Sequence, residues 1–253
     1  MAAFHYLPLL QLQRDLYCLP RGPERFRRYL LQMIDWETEE VRLPLFNLNP
    51  MAREHVPARL DELLAMDADG IAAQEVDAFQ TQCEATGTEG SETHRVILVI
   101  GDDAAGGWTN RYAEEFRARF EAKKLHDLKW IIGLLWASDP VDPDRFRETI
   151  RAALWRFSIL RELGQPNTLR ERMRQEGMVL DRAGCQLSLD QEELDYTRSI
   201  IEPLANATDL RTTIECLFGD EAGETLGFSR RGLVPNAGLA LALHEVRNTA
   251  TVI

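Results

Sequence analysis

The sequence has little cysteine, and what it has is dispersed. Cys18, Cys83, Cys185 and Cys216 form no C-x-x-C pair, which argues against a zinc ribbon and against a disulfide framework. A chain of 253 residues can bury enough surface to fold without covalent staples, and scattered cysteines of this kind fit reduced thiols in the cytoplasm. Long hydrophobic runs are also missing. No stretch approaches the ~18 consecutive apolar residues of a membrane span, so no membrane partner is expected. The opening segment, Met1 to Leu10, has no basic region ahead of its apolar residues and is interrupted by Pro8, unlike a secretory leader.

Positive charge is in deficit. Lys and Arg number 29 against 41 Asp and Glu, a formal net charge of −12. That field repels a phosphate backbone, so no nucleic acid partner is expected. The densest basic stretches, Arg25 to Arg28 and Arg170 to Arg174, alternate with apolar or acidic residues at helical spacing and read as solvated helix faces. Intact catalytic motifs are absent as well. Gly101 to Gly107 holds three glycines but no following Lys, so the phosphate loop is not met, and neither the dinucleotide G-x-G-x-x-G nor the G-x-S-x-G elbow occurs. His244-Glu245 opens like a zinc-protease helix, but Asn248 stands where the second His is required. The sequence names no cofactor.

What is present is a pattern of strands and helices. Arg95 to Ile100 and Leu128 to Ala137 are nearly unbroken apolar runs, the mark of strands covered on both faces in a parallel sheet; they are expected as neighbouring central strands. Val41 to Asn49 reads as a weaker first strand, placed near an edge by Pro44. Helical periodicity surrounds them. It appears at Phe26 to Ile34, at Val56 to Leu64, over 68–82, from Thr109 or Asn110 onward, and after the Asp142-Pro143 cap. In that last helix, Arg145, Arg147, Arg151 and Arg156 lie off the apolar stripe. The alternation predicts an α/β fold, a mostly parallel sheet flanked by helices in a Rossmann-like three-layer arrangement. Residues 1–40 form a helical N-terminal segment, 41–164 the sheet core, and 165–253 a mainly helical part packed on it. In that last part Thr168 to Glu171 is a capping box, Gly177 is expected to end the helix, and Met178 to Leu180 could form an edge strand. Asp190 and Asp209 open two further helices, and 236–246 is the last.

The carboxyl ends of parallel strands are where ligands bind in such sheets. The first end carries Asn47, Asn49 and His55; the second Asp102, Asp103, Gly106, Gly107, Trp108, Thr109, Asn110 and Arg111; the third Ser138, Asp139 and Asp142. These loops should converge on one cleft. Asp102 or Asp103, with His55, are the acid–base candidates. Asn49, Gly106, Gly107, Trp108, Thr109, Asn110, Arg111 and Asp139 are ligand-binding candidates: the glycines for close backbone approach, Trp108 for stacking, Arg111 for clamping a carboxylate or phosphate. The same residue types also suit an ordinary strand-to-helix turn. A metal held by His55 with Asp102, Asp103 or Asp139 would be oxygen-rich; no particular metal is indicated. Arg230 and Arg231, before the last helix, form a second anion cradle. The expected function is a small-molecule enzyme acting on a polar or anionic metabolite. The alternative is a non-catalytic ligand-binding or assembly protein whose helical second half makes a homo-oligomer interface. Truncating Asp103 or Arg111 to Ala should abolish ligand binding while costing under about half a kcal/mol of stability, since exposed polar loop residues contribute little.

Overall fold

The computed structural model describes residues 3–85, 92–104 and 108–250. The chain divides into two compact units. The first comprises residues 1–111 and 124–154, the second 112–123 and 155–253.

The first unit is built on the two apolar runs. They form β4 (Thr93–Gly101) and β5 (Trp130–Trp136), paired in parallel from Arg95 opposite Trp130 to Gly101 opposite Trp136. Val96 to Ile100 are all buried, as the absence of any polar alternation in that run requires. The third strand is not where the sequence pointed. It is β1 (Ala3–Tyr6), parallel to β4 with Ala3 opposite Thr93 and Tyr6 opposite Val96. The sheet order is therefore β1-β4-β5: β4 is central, and β5 closes one edge of the described sheet. The N-terminal segment thus begins as a strand before α1 (Leu10–Asp15) and α2 (Pro23–Met33), not as a helix throughout.

Val41 to Asn49 is correspondingly not a strand of the parallel sheet. Only β3 (Glu40–Val41) is extended, paired antiparallel with β2 (Ile34–Asp35). Beyond it the backbone turns twice, with Leu45 N–H donating to Leu43 and Leu48 N–H to Leu45. Pro44 has no N–H to offer a ladder, and the three-residue spacing of Leu45 and Leu48 suits turns that bury both.

Helices flank the sheet, as expected of an α/β fold. α3 (His55–Ala65) buries Val56, Leu60 and Leu63, and α4 (Ala68–Ala85) buries Ala72, Val76 and Phe79. α4 lies on β1, where the Phe4 and Phe79 rings meet edge to face at 5.2 Å. α1 takes over where β1 ends: the buried Gln13 amide donates to the Leu98 carbonyl at 2.8 Å and accepts from Ile100 N–H at 3.1 Å. One side chain thus stands in for a strand partner along β4. α5 (Arg111–Phe120) and α6 (Lys123–Asp127) connect β4 to β5. α7 (Pro143–Leu163) follows β5 and crosses it closely at Gly133, where a Cβ would press on Ile150 and Leu98.

The second unit is helical: α8 (Leu169–Ala183), α9 (Gln191–Ile201), α10 (Leu210–Phe218), α11 (Asp220–Thr225) and α12 (Ala237–Ala250). The Thr168–Glu171 capping box opens α8, and Asp190 and Asp209 cap α9 and α10 through the Glu193 and Thr212 N–H groups. Gly177 does not end α8, and Met178 to Leu180 is helix, not strand. The glycine is there for close packing, because a Cβ at 177 would collide with the Ala242 carbonyl of α12. Left-handed Gly184 ends the helix instead. Arg156 of α7, off that helix's apolar stripe, is half-buried. It pairs at 2.6 Å with Glu176, which is buried.

Candidate functional site

The two aspartates that follow β4 point to opposite sides, as successive residues of an extended chain do. Asp102 turns toward the segment before α3. Its side chain is 1% exposed. Oδ2 accepts from Asn49 Nδ2 at 2.6 Å, and Oδ1 accepts from Ala104 N–H at 3.3 Å and lies 2.9 Å from His55 Nε2. Asn49 is itself oriented: its Oδ1 accepts from Met51 N–H at 2.9 Å and its carbonyl from the Tyr17 hydroxyl at 2.7 Å. Burial, and after it the Asp102 charge, push the Tyr17 phenol above its ordinary range, so Tyr17 acts as a fixed donor and not as a proton carrier. The Asp102 backbone is held too, with its carbonyl accepting from Thr109 Oγ1 at 3.1 Å and its N–H donating to Asn47 at 3.3 Å.

His55 is the half-exposed member of this cluster, its side chain 41% accessible. A carboxylate only accepts, so the Nε2 facing Asp102 carries the proton in the neutral ring, and Nδ1 keeps its lone pair. Nδ1 has no partner among the described residues. α3 begins at His55 and is anchored one turn on, where Arg59 Nε donates to the Ala137 carbonyl just beyond β5 at 3.2 Å. The first turn of α3 is thereby fixed at the carboxyl end of the sheet.

Asp103 faces the other way. Its side chain is 5% exposed and accepts from Ser138 Oγ at 2.6 Å and Ser138 N–H at 3.1 Å. Arg111 reaches Asp103 at 3.3 Å and grips Asp139 with two hydrogen bonds of 2.6 and 3.0 Å, while its guanidinium lies 5.5 Å from the Trp136 ring centroid. Arg145 donates to the same Asp139 at 2.6 Å. This group joins the ends of β4 and β5 by charge-assisted bonds, and its arginine is already neutralised by carboxylates. Trp108 is 45% exposed and Phe46 41%, tied together by Trp108 Nε1 donating to the Phe46 carbonyl at 3.3 Å.

The structure therefore brings Asn49, His55, Asp102, Asp103, Trp108, Thr109, Arg111 and Asp139 to one edge of the first unit. Asn110 is half-buried and immediately precedes α5. Gly106 and Gly107 lie outside the described residues. The convergence expected from three parallel strands holds with two strands and the loop before α3, because Asn49 and His55 arrive on an irregular segment. Asp142 serves as a cap, accepting from Asp144 N–H at 3.0 Å. Arg230 and Arg231 belong to the second unit, and both are engaged. Arg230 pairs with Glu224, and Arg231 Nε donates at 2.6 Å to buried Glu215, which Arg211 also contacts at 2.8 Å. Sequence reasoning missed Phe46, which sat inside a stretch read as a strand, and Arg59, which resembled any helix-surface arginine. Among the described residues, no three His, Cys, Asp or Glu side chains are arranged to hold a metal ion, and no helix is long and apolar enough to cross a membrane. The chain matches no protein-family model, no curated protein and no solved structure.

Proposed function

We propose that this protein is a small-molecule enzyme that moves a proton on a polar or anionic metabolite, with His55 as the group that accepts and returns it. The observation that carries this reading is the pairing of a half-exposed imidazole with a buried carboxylate whose two oxygens are both fixed. A surface histidine that merely capped its helix would not need a carboxylate oriented by Asn49 and, behind it, by Met51 and Tyr17. Asp102 sets the tautomer and steadies the imidazolium formed when Nδ1 takes a proton, an arrangement that suits general-base catalysis. Asp102 is thus a positioning residue. Asp103 and Arg111, bound to Ser138 and Asp139, hold the edge together. Trp108 and Phe46 offer exposed ring faces beside it, suited to the flat part of a ligand.

The same reading treats the sheet as a small Rossmann-like three-layer arrangement, with its ligand beyond the carboxyl ends of β4 and β5, in a cytoplasmic protein with reduced thiols. The test is a metabolite screen by thermal shift, followed by NMR of each stabilising compound for conversion. A hit converted by the wild type and not by a folded His55→Gln variant is the expected result. Conversion undiminished in His55→Gln, or hits that bind there without ever being converted, would overturn the catalytic reading; the second outcome would favour a binding protein.

A further inference from the structure

The basic stretch around Arg170 to Arg174 takes on a different character in the second unit. Arg172 is buried, donating to Thr213 Oγ1 at 2.5 Å and lying over the Phe116 and Phe120 rings. Arg170 and Arg174 sit on the rim of a groove of about 540 Å³ between α8, α9 and α12. Its floor is apolar: Met173, Met178, Ile201, Leu241 and Val246 line it. The volume lies within the roughly 300–1,000 Å³ of small-molecule sites, and two methionines give its walls the adaptability that suits a flexible aliphatic guest.

The rim is charged and uneven. Arg170 pairs with Glu202 at 2.8 Å, and Arg198 with Asp195 at 2.8 Å and Glu245 at 3.5 Å. Arg174 is exposed and has no carboxylate partner among the described residues. In a chain of net charge −12, an apolar groove thus carries three arginines and two glutamates on its rim, with Arg174 the arginine that has no carboxylate partner among the described residues. Charge complementarity calls for a single negative head at Arg174, and the floor for an unbranched apolar chain.

We propose that this groove is a binding site for a free medium-chain fatty carboxylate, its alkyl chain along Met173, Met178 and Leu241 and its carboxylate on Arg174. The proposal is independent of the strand-end site, since every residue it uses lies in the second unit.

Calorimetry on the full chain tests it, using decanoate, decanol and decyltrimethylammonium, each below its micellar concentration. Decanoate should bind one per chain, with decanol weaker by about tenfold, the scale of one charge-assisted hydrogen bond, and the cation weaker still. Arg174→Gln should weaken decanoate by about tenfold and leave decanol unchanged, and Met178→Trp should block both by filling the floor. Arg174 is exposed, so Arg174→Gln decides the matter even if Met178→Trp fails to fold. The proposal is overturned if decanoate does not saturate, if all three amphiphiles bind alike, or if Arg174→Gln binds decanoate like the wild type. A dimeric wild type that becomes monomeric in Met178→Trp would assign the groove to a second copy of the chain and overturn it equally.

Discussion

At the scale of single residues, the two neighbouring aspartates have separate tasks. A run of buried aliphatics followed by Asp-Asp marked both as strand-end polar groups, and that much was legible. Which carboxylate met which partner was not, because the alternation of an extended chain sends one to Asn49 and His55 and the other to Ser138 and Arg111, and those partners come from distant segments. The exposure of Asp103 was not legible either. Asp103 was expected to be a solvated loop residue, yet it is almost wholly buried and accepts two hydrogen bonds from Ser138. Asp103→Ala should therefore cost about 1–3 kcal/mol, the scale of the hydrogen bonds that a charged group makes to Ser138 and Arg111. Urea unfolding of the variant checks this; a loss below about half a kcal/mol would return Asp103 to the class of exposed loop residues.

At the scale of elements, apolar runs and caps were read correctly because each rests on local chemistry. β4, β5 and the α8, α9 and α10 caps needed no information beyond a few adjacent residues. The failures were non-local. Ala3 to Tyr6 is too short to announce a strand and becomes one by pairing with Thr93 to Val96. Gly177 resembled a helix stop because its reason for being glycine, the Ala242 carbonyl, lies 65 positions away in sequence. Glu176 is a similar case. It is buried on α8 between Arg119 of α5 and Arg156 of α7. Burial would raise its carboxyl, but the two guanidiniums overcome this and hold it down to about 2. A depressed folded-state value stabilises the fold above the unfolded value near 4.5, and that contribution is lost as pH falls toward about 2. Glu176→Gln leaves half-buried Arg156 without its carboxylate and Arg119 with Glu115 alone, and should lose about 3 kcal/mol at neutral pH, the lower end for breaking a buried pair. The gap to wild type should narrow as pH drops through that window. Denaturant unfolding of both proteins at neutral and acid pH reads this directly, and a gap independent of pH would show that the carboxylate charge does not hold the three helices.

At the scale of the molecule, the parallel sheet turns sequence distance into proximity. His55 and Asp102 are 47 positions apart, and Asp103 and Ser138 are 35 apart, yet both pairs meet at the carboxyl edge of the first unit. That polar residues from separate segments gather at this edge was legible because parallel strands end at a common edge. Which aspartate would face His55 was not, since Asn49, which orients Asp102, arrives on an irregular segment within Val41 to Asn49, a stretch that reads as a strand. On the proposed reading, Asp102 fixes His55 as a proton acceptor at Nδ1. The most direct measurement is the tautomer of His55, read from long-range proton–nitrogen correlations at about pH 8, above the ordinary histidine range. In the wild type the neutral ring should carry its proton on Nε2, and Asp102→Asn should erase that preference while the fold persists. A wild-type His55 protonated on Nδ1, or a tautomer unchanged by Asp102→Asn, would contradict the account.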